Sequence, residues 1–152
     1  SEKYQEKIVK ILQRKNAETI MAVRSADGMD ELSTTCKNQI CMLKNGTITK
    51  MTLDPQKVGL QKGNISDIQI RSKEDAIKSF ITVLNNTANK TKIEITALNA
   101  AGGLVISDIA DNFTDAVELA LDTIHSGKAL DKLENFVKNY GNIEKLDGAE
   151  KL

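Results

Sequence analysis

The chain has 152 residues, of which 40% are apolar, so it is long and apolar enough for one globular domain and unlike a disordered segment. Its 21 basic and 21 acidic residues cancel, and 3% of residues are aromatic. This balance argues against a generic nucleic-acid or anionic-membrane binder, which needs an uncompensated basic surface. No apolar run approaches the roughly 20 residues of a membrane span, and no secretory signal is recognisable.

The scarcity of cysteine and histidine restricts the chemistry further. Four residues separate the two cysteines, Cys36 and Cys41, and His125 is the single histidine. This spacing is not that of a zinc site, and a nucleophile activated by an imidazole is disfavoured. Two thiols in a cysteine-poor chain favour a reducing cytoplasm, where we expect them to be small buried residues rather than a disulfide.

The first predicted elements are a helix, a strand and a polar loop. Residues 3–15 have the period of an amphipathic helix. Its apolar face consists of Tyr4, Ile8, Ile11 and Leu12. The apolar run 19–23 predicts a buried strand. Together, the helix and this strand would form the second half of a βαβ unit, whose first strand would precede residue 1. The polar segment 24–35 follows the carboxyl end of this strand, which is where ligands bind in open α/β sheets.

Residues 39–53 predict a β-hairpin. Apolar and polar residues alternate in its arms, and Asn45-Gly46 between them is typical of a type I′ turn, because both residues tolerate positive φ. Pro55 ends the second arm, since proline cannot donate to the strand ladder. A further short strand is expected at residues 65–70.

The rest of the chain predicts helices. Ser72 and Asn112 are expected as N-caps, each followed three residues later by an aspartate. The buried face of the first of these helices is expected at Ala76, Ile77, Phe80, Ile81 and Leu84. Residues 91–110 are the most apolar stretch, and the small residues within it indicate a helix packed closely against another element. A last helix ends at Gly141, and a frayed polar tail is expected over residues 142–152.

Candidate chemistry concentrates in the polar segment 24–35. The adjacent carboxylates of Asp30 and Glu31 suit a Mg²⁺ ion shared with the phosphates of a substrate, because Mg²⁺ takes one or two carboxylates together with water and phosphate oxygens. An exposed acidic turn, or the cap of a short helix, explains the same dipeptide without any ligand. The sequence contains no Gly-rich phosphate-binding motif, so the phosphate donors of such a site would come from elsewhere.

The segment A-D-G-M-D-E-L-S at residues 26–33 resembles the G-[LM]-D-E-[LI]-S signature of the anthranilate phosphoribosyltransferases. Further segments match the same family in the same order: T-L-D-P at 52–55, V-G-L at 58–60, L-N-A-A at 98–101 and S-G-K-A-L-D-K-L at 126–133. The resemblance extends from about residue 7 to residue 140. The resemblance implies an α/β fold, namely the C-terminal part of a nucleoside-phosphorylase/phosphoribosyltransferase-like domain. This part is expected to have a mixed sheet, a β-hairpin and flanking helices. We expect it to form one domain over residues 1–141.

The resemblance also implies a function. The complete enzyme is a glycosyltransferase that transfers phosphoribosyl from phosphoribosyl pyrophosphate to anthranilate in tryptophan biosynthesis, with release of pyrophosphate. Asp30 and Glu31 match the acidic pair that holds Mg²⁺ in this family, and Ser33 matches a neighbouring position that we expect to contact substrate.

Other parts of the family's active site have no counterpart in the sequence. Family members carry a G-T-G-G-D loop, a K-H-G-N-type segment and an anthranilate-binding arginine upstream of the acidic pair, and a helical domain that forms the dimer. We therefore expect a fragment without catalytic residues of its own and inactive alone. Its complete enzyme is expected to be a cytoplasmic homodimer that binds neither nucleic acid nor membrane.

Two alternatives stay open. The chain could be a non-catalytic binding or interaction module of the same superfold, or part of a nucleoside-phosphorylase-like enzyme. The acidic pair favours an enzyme over a binding module, because a module has no need of adjacent Mg²⁺ ligands.

Overall fold

The computed structural model describes residues 2–151, in which three strands near the N-terminus are followed by helices. The elements are α1 (Glu2–Arg14), β1 (Ile20–Ser25), β2 (Asn38–Lys44), β3 (Thr47–Leu53), α2 (Ile65–Ile68), α3 (Lys73–Leu84), α4 (Lys90–Ile106), α5 (Phe113–His125), α6 (Lys128–Tyr140) and α7 (Ile143–Glu150). The predicted α/β class with a hairpin and flanking helices is confirmed.

The sheet has the order β1-β2-β3, and both strand pairs are antiparallel. A mixed sheet was expected, but within residues 2–151 no parallel pair occurs. The reason is local: a loop joins β1 to β2 and a two-residue turn joins β2 to β3, whereas a parallel pair requires a long crossover. Asn45 and Gly46 have φ values of 50° and 74°, which confirms the predicted type I′ turn.

Helix α1 is confirmed, but it presents a different face to the sheet from the one its apolar residues define. Val9 and Gln5 are buried against β1 and β2, and the Gln5 amide donates to the carbonyl oxygens of Ala22 (2.8 Å) and Gln39 (2.9 Å). The predicted apolar face is 38–60% exposed: Tyr4, Ile8, Ile11 and Leu12. A polar side chain that satisfies two strand carbonyls therefore sets the orientation of α1. Strand β1, predicted as buried, is mostly half-buried because it lies at an edge of the described sheet.

The expected strand at residues 65–70 is wrong, because Ile65–Ile68 form the single helical turn α2. Contacts with the start of α4 hold this turn: Asp67 accepts from the Thr91 hydroxyl at 3.2 Å, and its carbonyl accepts from the Asn89 amide at 3.0 Å. Residues 65–70 pair with none of the three strands of the described sheet, and they pack against α4 as a helical turn instead.

The capping predictions are confirmed at both sites. Ser72 accepts from the backbone N–H three residues on at 3.0 Å, and Asn112 does the same at the start of α5. The predicted buried face of α3 is only partly correct, since Ile81 and Val83 are its buried residues while Phe80 is 55% exposed. Capping depends on local chemistry, whereas burial depends on which distant element covers a face.

The C-terminal tail is helical rather than frayed. Asn142 caps α7 by accepting from the Lys145 N–H at 3.1 Å, and α7 packs against α3 and α6. Leu146 and Ala149 are half-buried there. These two apolar residues, spaced by three, give the polar tail enough of a packing face to hold a helix.

The main core lies between the sheet and the α4–α5 pair. Its buried residues are Leu32, Ile40, Leu53, Val58, Leu60, Leu98, Ala101, Val105, Ala110, Phe113, Ala116 and Val117. The close packing predicted for α4 is confirmed at Gly102, where a Cβ would lie 3.4 Å from Leu32 Cδ1. Among residues 2–151, no helix has the length and apolar character needed to cross a bilayer.

Candidate functional site

The loop that joins β1 to β2 is organised around the carboxylate of Asp27. One carboxylate oxygen accepts from the Ser25 hydroxyl and from the Met29 N–H (3.1 Å). The other accepts from the hydroxyls of Ser33 (2.6 Å) and Thr35 (2.5 Å). A single side chain thus ties the beginning of the loop to its end.

These bonds also fix the charge state of Asp27. Burial by itself would raise the pKa of this carboxyl, but the hydroxyl donors of Ser25, Ser33 and Thr35 and the N–H of Met29 together hold the pKa well below its ordinary value of 3.8. Asp27 is therefore an anion whose two carboxylate oxygens already accept hydrogen bonds within the loop, which does not favour it as a metal ligand.

Two asparagine side chains hold the backbone that follows the acidic pair. The Asn99 amide, from α4, accepts from Leu32 N–H at 2.9 Å and donates to Leu32 C=O at 2.7 Å. The Asn38 amide, at the start of β2, does the same for Ser33, at 2.8 and 2.9 Å. Each amide imitates the pairing of a neighbouring strand, and so residues 32 and 33 are fixed without belonging to the sheet.

Asp30 and Glu31 lie between these two sets of contacts. Both residues are exposed, and neither carboxylate makes a hydrogen bond or ion pair with the rest of residues 2–151. Over the same residues no group of three or more potential metal ligands occurs. This donor set does not suit a metal held by protein alone, but it fits Mg²⁺ that takes two carboxylates and completes its shell with water and phosphate oxygens.

Ser33, expected to contact substrate, lies in the same loop but is completely buried. Its hydroxyl donates to Asp27, and the hydroxyl oxygen accepts from the Thr35 N–H at 3.1 Å. In this arrangement the Ser33 side chain supports the loop, and contact with substrate stays a prediction.

The other residues considered from the sequence lie apart from the acidic pair or support its loop. Cys36 and Cys41 are both free thiols; Cys36 Sγ accepts from the Asp27 N–H at 3.3 Å, while Cys41 is buried under α1. Burial raises the pKa of the Cys41 thiol. His125 is exposed in the last turn of α5, where a cation would interact favourably with the helix dipole.

Sequence reasoning missed the residues that hold the loop, namely Asp27, Asn38 and Asn99. Asp27 precedes a glycine, and this pair by itself is typical of a turn. A signal was present for Asn99, since it is the polar residue of the otherwise apolar stretch 97–106 of α4. The structure shows that this segment and D-E-L-S meet, because the Asn99 side chain binds the backbone of Leu32.

Comparison with known proteins agrees with this arrangement. The sequence profile described as glycosyl transferase family, a/b domain, matches residues 1–130. Anthranilate phosphoribosyltransferase from Nitrosopumilus maritimus is 54% identical over 143 residues, which cover 94% of this chain and 41% of that protein.

Two solved structures extend the comparison. The anthranilate phosphoribosyltransferase of Thermus thermophilus superposes with a TM-score of 0.81 over 91% of this chain and 40% of its own; at 22% identity this similarity concerns the fold. The enzyme of Saccharomyces cerevisiae in complex with PRPP and Mg superposes with a TM-score of 0.66 at 25% identity, over 78% of this chain and 34% of its own. The chain thus spans about 40% of the length of the relatives that it matches.

Proposed function

The chain belongs to the glycosyl transferase family, a/b domain, and from this premise we propose that it supplies the Mg²⁺-binding loop of an anthranilate phosphoribosyltransferase. The observation that carries the proposal is the pair of exposed carboxylates of Asp30 and Glu31, without a partner among the described residues, on a loop that side-chain hydrogen bonds hold on both sides of the pair. The 54% identical relative carries the name of this activity.

The two carboxylates hold Mg²⁺ together with the pyrophosphate group of phosphoribosyl pyrophosphate. When bound, the ion offsets the negative charge that develops on the departing pyrophosphate. Asp30 and Glu31 are suited to this because they are exposed, and so an ion on them remains open to phosphate oxygens. The hydrogen bonds of the loop keep the carboxylates oriented, which contributes electrostatic preorganisation.

The groups that bind anthranilate, those that donate to the phosphates and those that act on the reacting atoms would come from parts of the enzyme outside these 152 residues. None of the catalytic residues is assigned to this chain. We therefore expect the isolated chain to have no transferase activity, and turnover by the purified 152-residue chain with both substrates and Mg²⁺ would contradict this. A cytoplasmic location belongs to the same proposal and agrees with the two free cysteines.

The metal role is tested in the full-length polypeptide that carries this chain, with the double variant Asp30→Asn/Glu31→Gln. These substitutions keep the side-chain shape and remove both charges. We expect loss of Mg²⁺-dependent turnover of anthranilate and phosphoribosyl pyrophosphate, with the urea unfolding midpoint unchanged because neither carboxylate has a partner among the described residues.

A matched control is Asp131→Asn/Glu134→Gln, which neutralises two exposed carboxylates on α6, a helix that packs against α5 and α7. This control should keep the wild-type Mg²⁺ dependence. Unchanged turnover in the Asp30/Glu31 double variant would reject the metal role. Phosphorolysis of nucleosides without transfer to anthranilate would favour the nucleoside-phosphorylase alternative instead.

A further inference from the structure

The acidic pair lies between two fixed points of the backbone. On its N-terminal side, Asp27 binds the Met29 N–H, one residue before Asp30. On its C-terminal side, Asn99 binds both the N–H and the C=O of Leu32, one residue after Glu31. Asp30 and Glu31 are therefore a short exposed segment whose backbone is held by side-chain hydrogen bonds on either side.

The Asn99 contact is itself firmly held. The amide of Asn99 also donates to the Ile95 carbonyl at 2.9 Å, one turn earlier in α4, so its side chain is fixed against its own helix. The Leu32 side chain is 2% exposed and packs against Gly102 of the same helix. Leu32 is thus attached to α4 by its backbone and by its side chain, although 67 positions separate it from Asn99.

The Asp27 contact has the same character. Its carboxylate binds residues on both sides of the acidic pair, namely Met29 before it and Ser33 and Thr35 after it. Loss of this carboxylate would release both ends of the loop together. None of these contacts involves Asp30 or Glu31 directly, so removing one leaves the carboxylates present but less well oriented.

We propose that Asn99 and Asp27 are positioning residues, which hold the backbone on either side of Asp30 and Glu31 so that the two carboxylates are oriented for a Mg²⁺–phosphate ligand before it arrives. This inference rests on the proposed function. Partners that orient metal ligands typically contribute about 10- to 100-fold to metal affinity.

The test compares Asn99→Ala with Asn89→Ala in the full-length polypeptide. Asn89 caps the same helix α4 and accepts from the Lys92 N–H at 2.9 Å, so its loss weakens α4 without touching the loop. We expect Asn99→Ala to raise the half-saturating Mg²⁺ concentration and the KM for phosphoribosyl pyrophosphate by about 10-fold, with kcat at saturating Mg²⁺ nearly retained. Asn89→Ala should lower the unfolding midpoint and leave the Mg²⁺ dependence unchanged.

A second readout does not depend on activity. Amide hydrogen exchange followed by NMR should be faster at Leu32 in Asn99→Ala than in wild type or Asn89→Ala, since its N–H loses its acceptor. Should Asn99→Ala not fold, Asp27→Asn replaces it, because asparagine has nearly the shape of aspartate. The amide oxygen of Asp27→Asn can still accept from the Met29 N–H, but its NH₂ group cannot accept from the Ser33 and Thr35 hydroxyls. We expect Asp27→Asn to shift the Mg²⁺ dependence in the same direction and to speed exchange at Thr35, whose N–H donates to the Ser33 hydroxyl oxygen.

The outcomes separate the two hypotheses. If Asp30→Asn/Glu31→Gln abolishes Mg²⁺-dependent turnover while folded Asn99→Ala and Asp27→Asn keep the wild-type half-saturating Mg²⁺ concentration, the positioning role is overturned and the proposed function stands. If the double variant itself keeps full turnover, both are overturned. A fall in kcat alone, equal in Asn99→Ala and Asn89→Ala, would show a purely structural role and overturn the inference.

Discussion

Gly63 is the position at which one added methyl group should affect the fold most clearly. The residue is buried, and its N–H donates to the Thr34 carbonyl at 3.2 Å. A Cβ at this position would lie 2.5 Å from Thr91 Cγ2 and 2.8 Å from Thr34 Oγ1. Both distances are far shorter than van der Waals contact, so Gly63→Ala forces α4 and the β1–β2 loop apart at the point where they meet.

Two opposing effects determine how much Gly63→Ala changes the free energy of unfolding. Gly63 does not have positive φ, so alanine is compatible with its backbone, and the reduced freedom of the unfolded chain would by itself stabilise the variant by about 0.4–1 kcal/mol. Overpacking in a close-packed region costs about 1–3 kcal/mol. We expect the overlap to dominate, with a net loss of about 1–2 kcal/mol in the free energy of unfolding.

Urea unfolding of single and double variants tests this reasoning. Thr91→Ser removes the Cγ2 methyl but keeps the hydroxyl that donates to Asp67, so Gly63→Ala/Thr91→Ser should recover part of the loss. The control is Gly103→Ala, an exposed position in α4 with no atom within 4 Å of an added Cβ. That change should stabilise the chain by about 0.5–1 kcal/mol through helix propensity. A Gly63→Ala variant as stable as wild type, or one not relieved by Thr91→Ser, would refute the steric argument.

Two further predictions concern acid and thiol chemistry. The folded-state pKa of Asp27 lies below its ordinary value of 3.8, so the contribution of Asp27 to stability is complete above that pH and shrinks as the pH falls toward the folded-state pKa. Between about pH 4 and 2, wild type should therefore lose unfolding free energy more steeply than Asp27→Asn, by up to about 1.4 kcal/mol per pH unit. Equal slopes in urea titrations of the two proteins would contradict this. Iodoacetamide should modify Cys36 in the folded protein before Cys41, which is 2% exposed and has a pKa raised by burial. Mass spectrometry of the labelled peptides reads the order, and earlier modification of Cys41 would contradict the burial described.

The sequence was sufficient where a structural feature depends on neighbouring residues. The Asn45-Gly46 turn needs two residues that tolerate positive φ, and the caps at Ser72 and Asn112 need an oxygen acceptor beside free N–H groups. Gly127, with φ of 80°, follows α5 in the left-handed conformation that favours glycine after a helix end. All of these depend on contacts within a few residues, so the sequence pattern contains the necessary information.

The sequence was insufficient where the outcome depends on a distant partner. The period of α1 identifies an apolar face but not what covers it, and the structure orients the helix by Gln5 instead. The short run at 65–70 has strand-like spacing, but it contacts α4 and pairs with none of the strands of the described sheet. Phe80 belongs to the apolar side of α3 and is nevertheless exposed, because the neighbouring helices cover Ile81 and Val83.

In the candidate site too, some residues could be predicted from the sequence and others could not. Asp30 and Glu31 could be identified because two adjacent carboxylates in a loop have a recognisable chemistry. Their prediction as metal ligands stays a prediction, which the double variant tests. The position of Asn99 in an apolar stretch indicates a specific role, but that role, like the role of Asn38, could not be identified from the sequence because only the fold brings Asn99 to Leu32.

The Asn99 contact has a consequence for which substitutions the loop can tolerate. The Asn99 amide binds the main chain of residue 32, so these two hydrogen bonds do not depend on which side chain residue 32 carries. What limits residue 32 is the main core, in which its side chain is 2% exposed and reaches Gly102. A change of volume at position 32 should therefore require an opposite change among its core neighbours during sequence divergence, while position 99 should keep an amide.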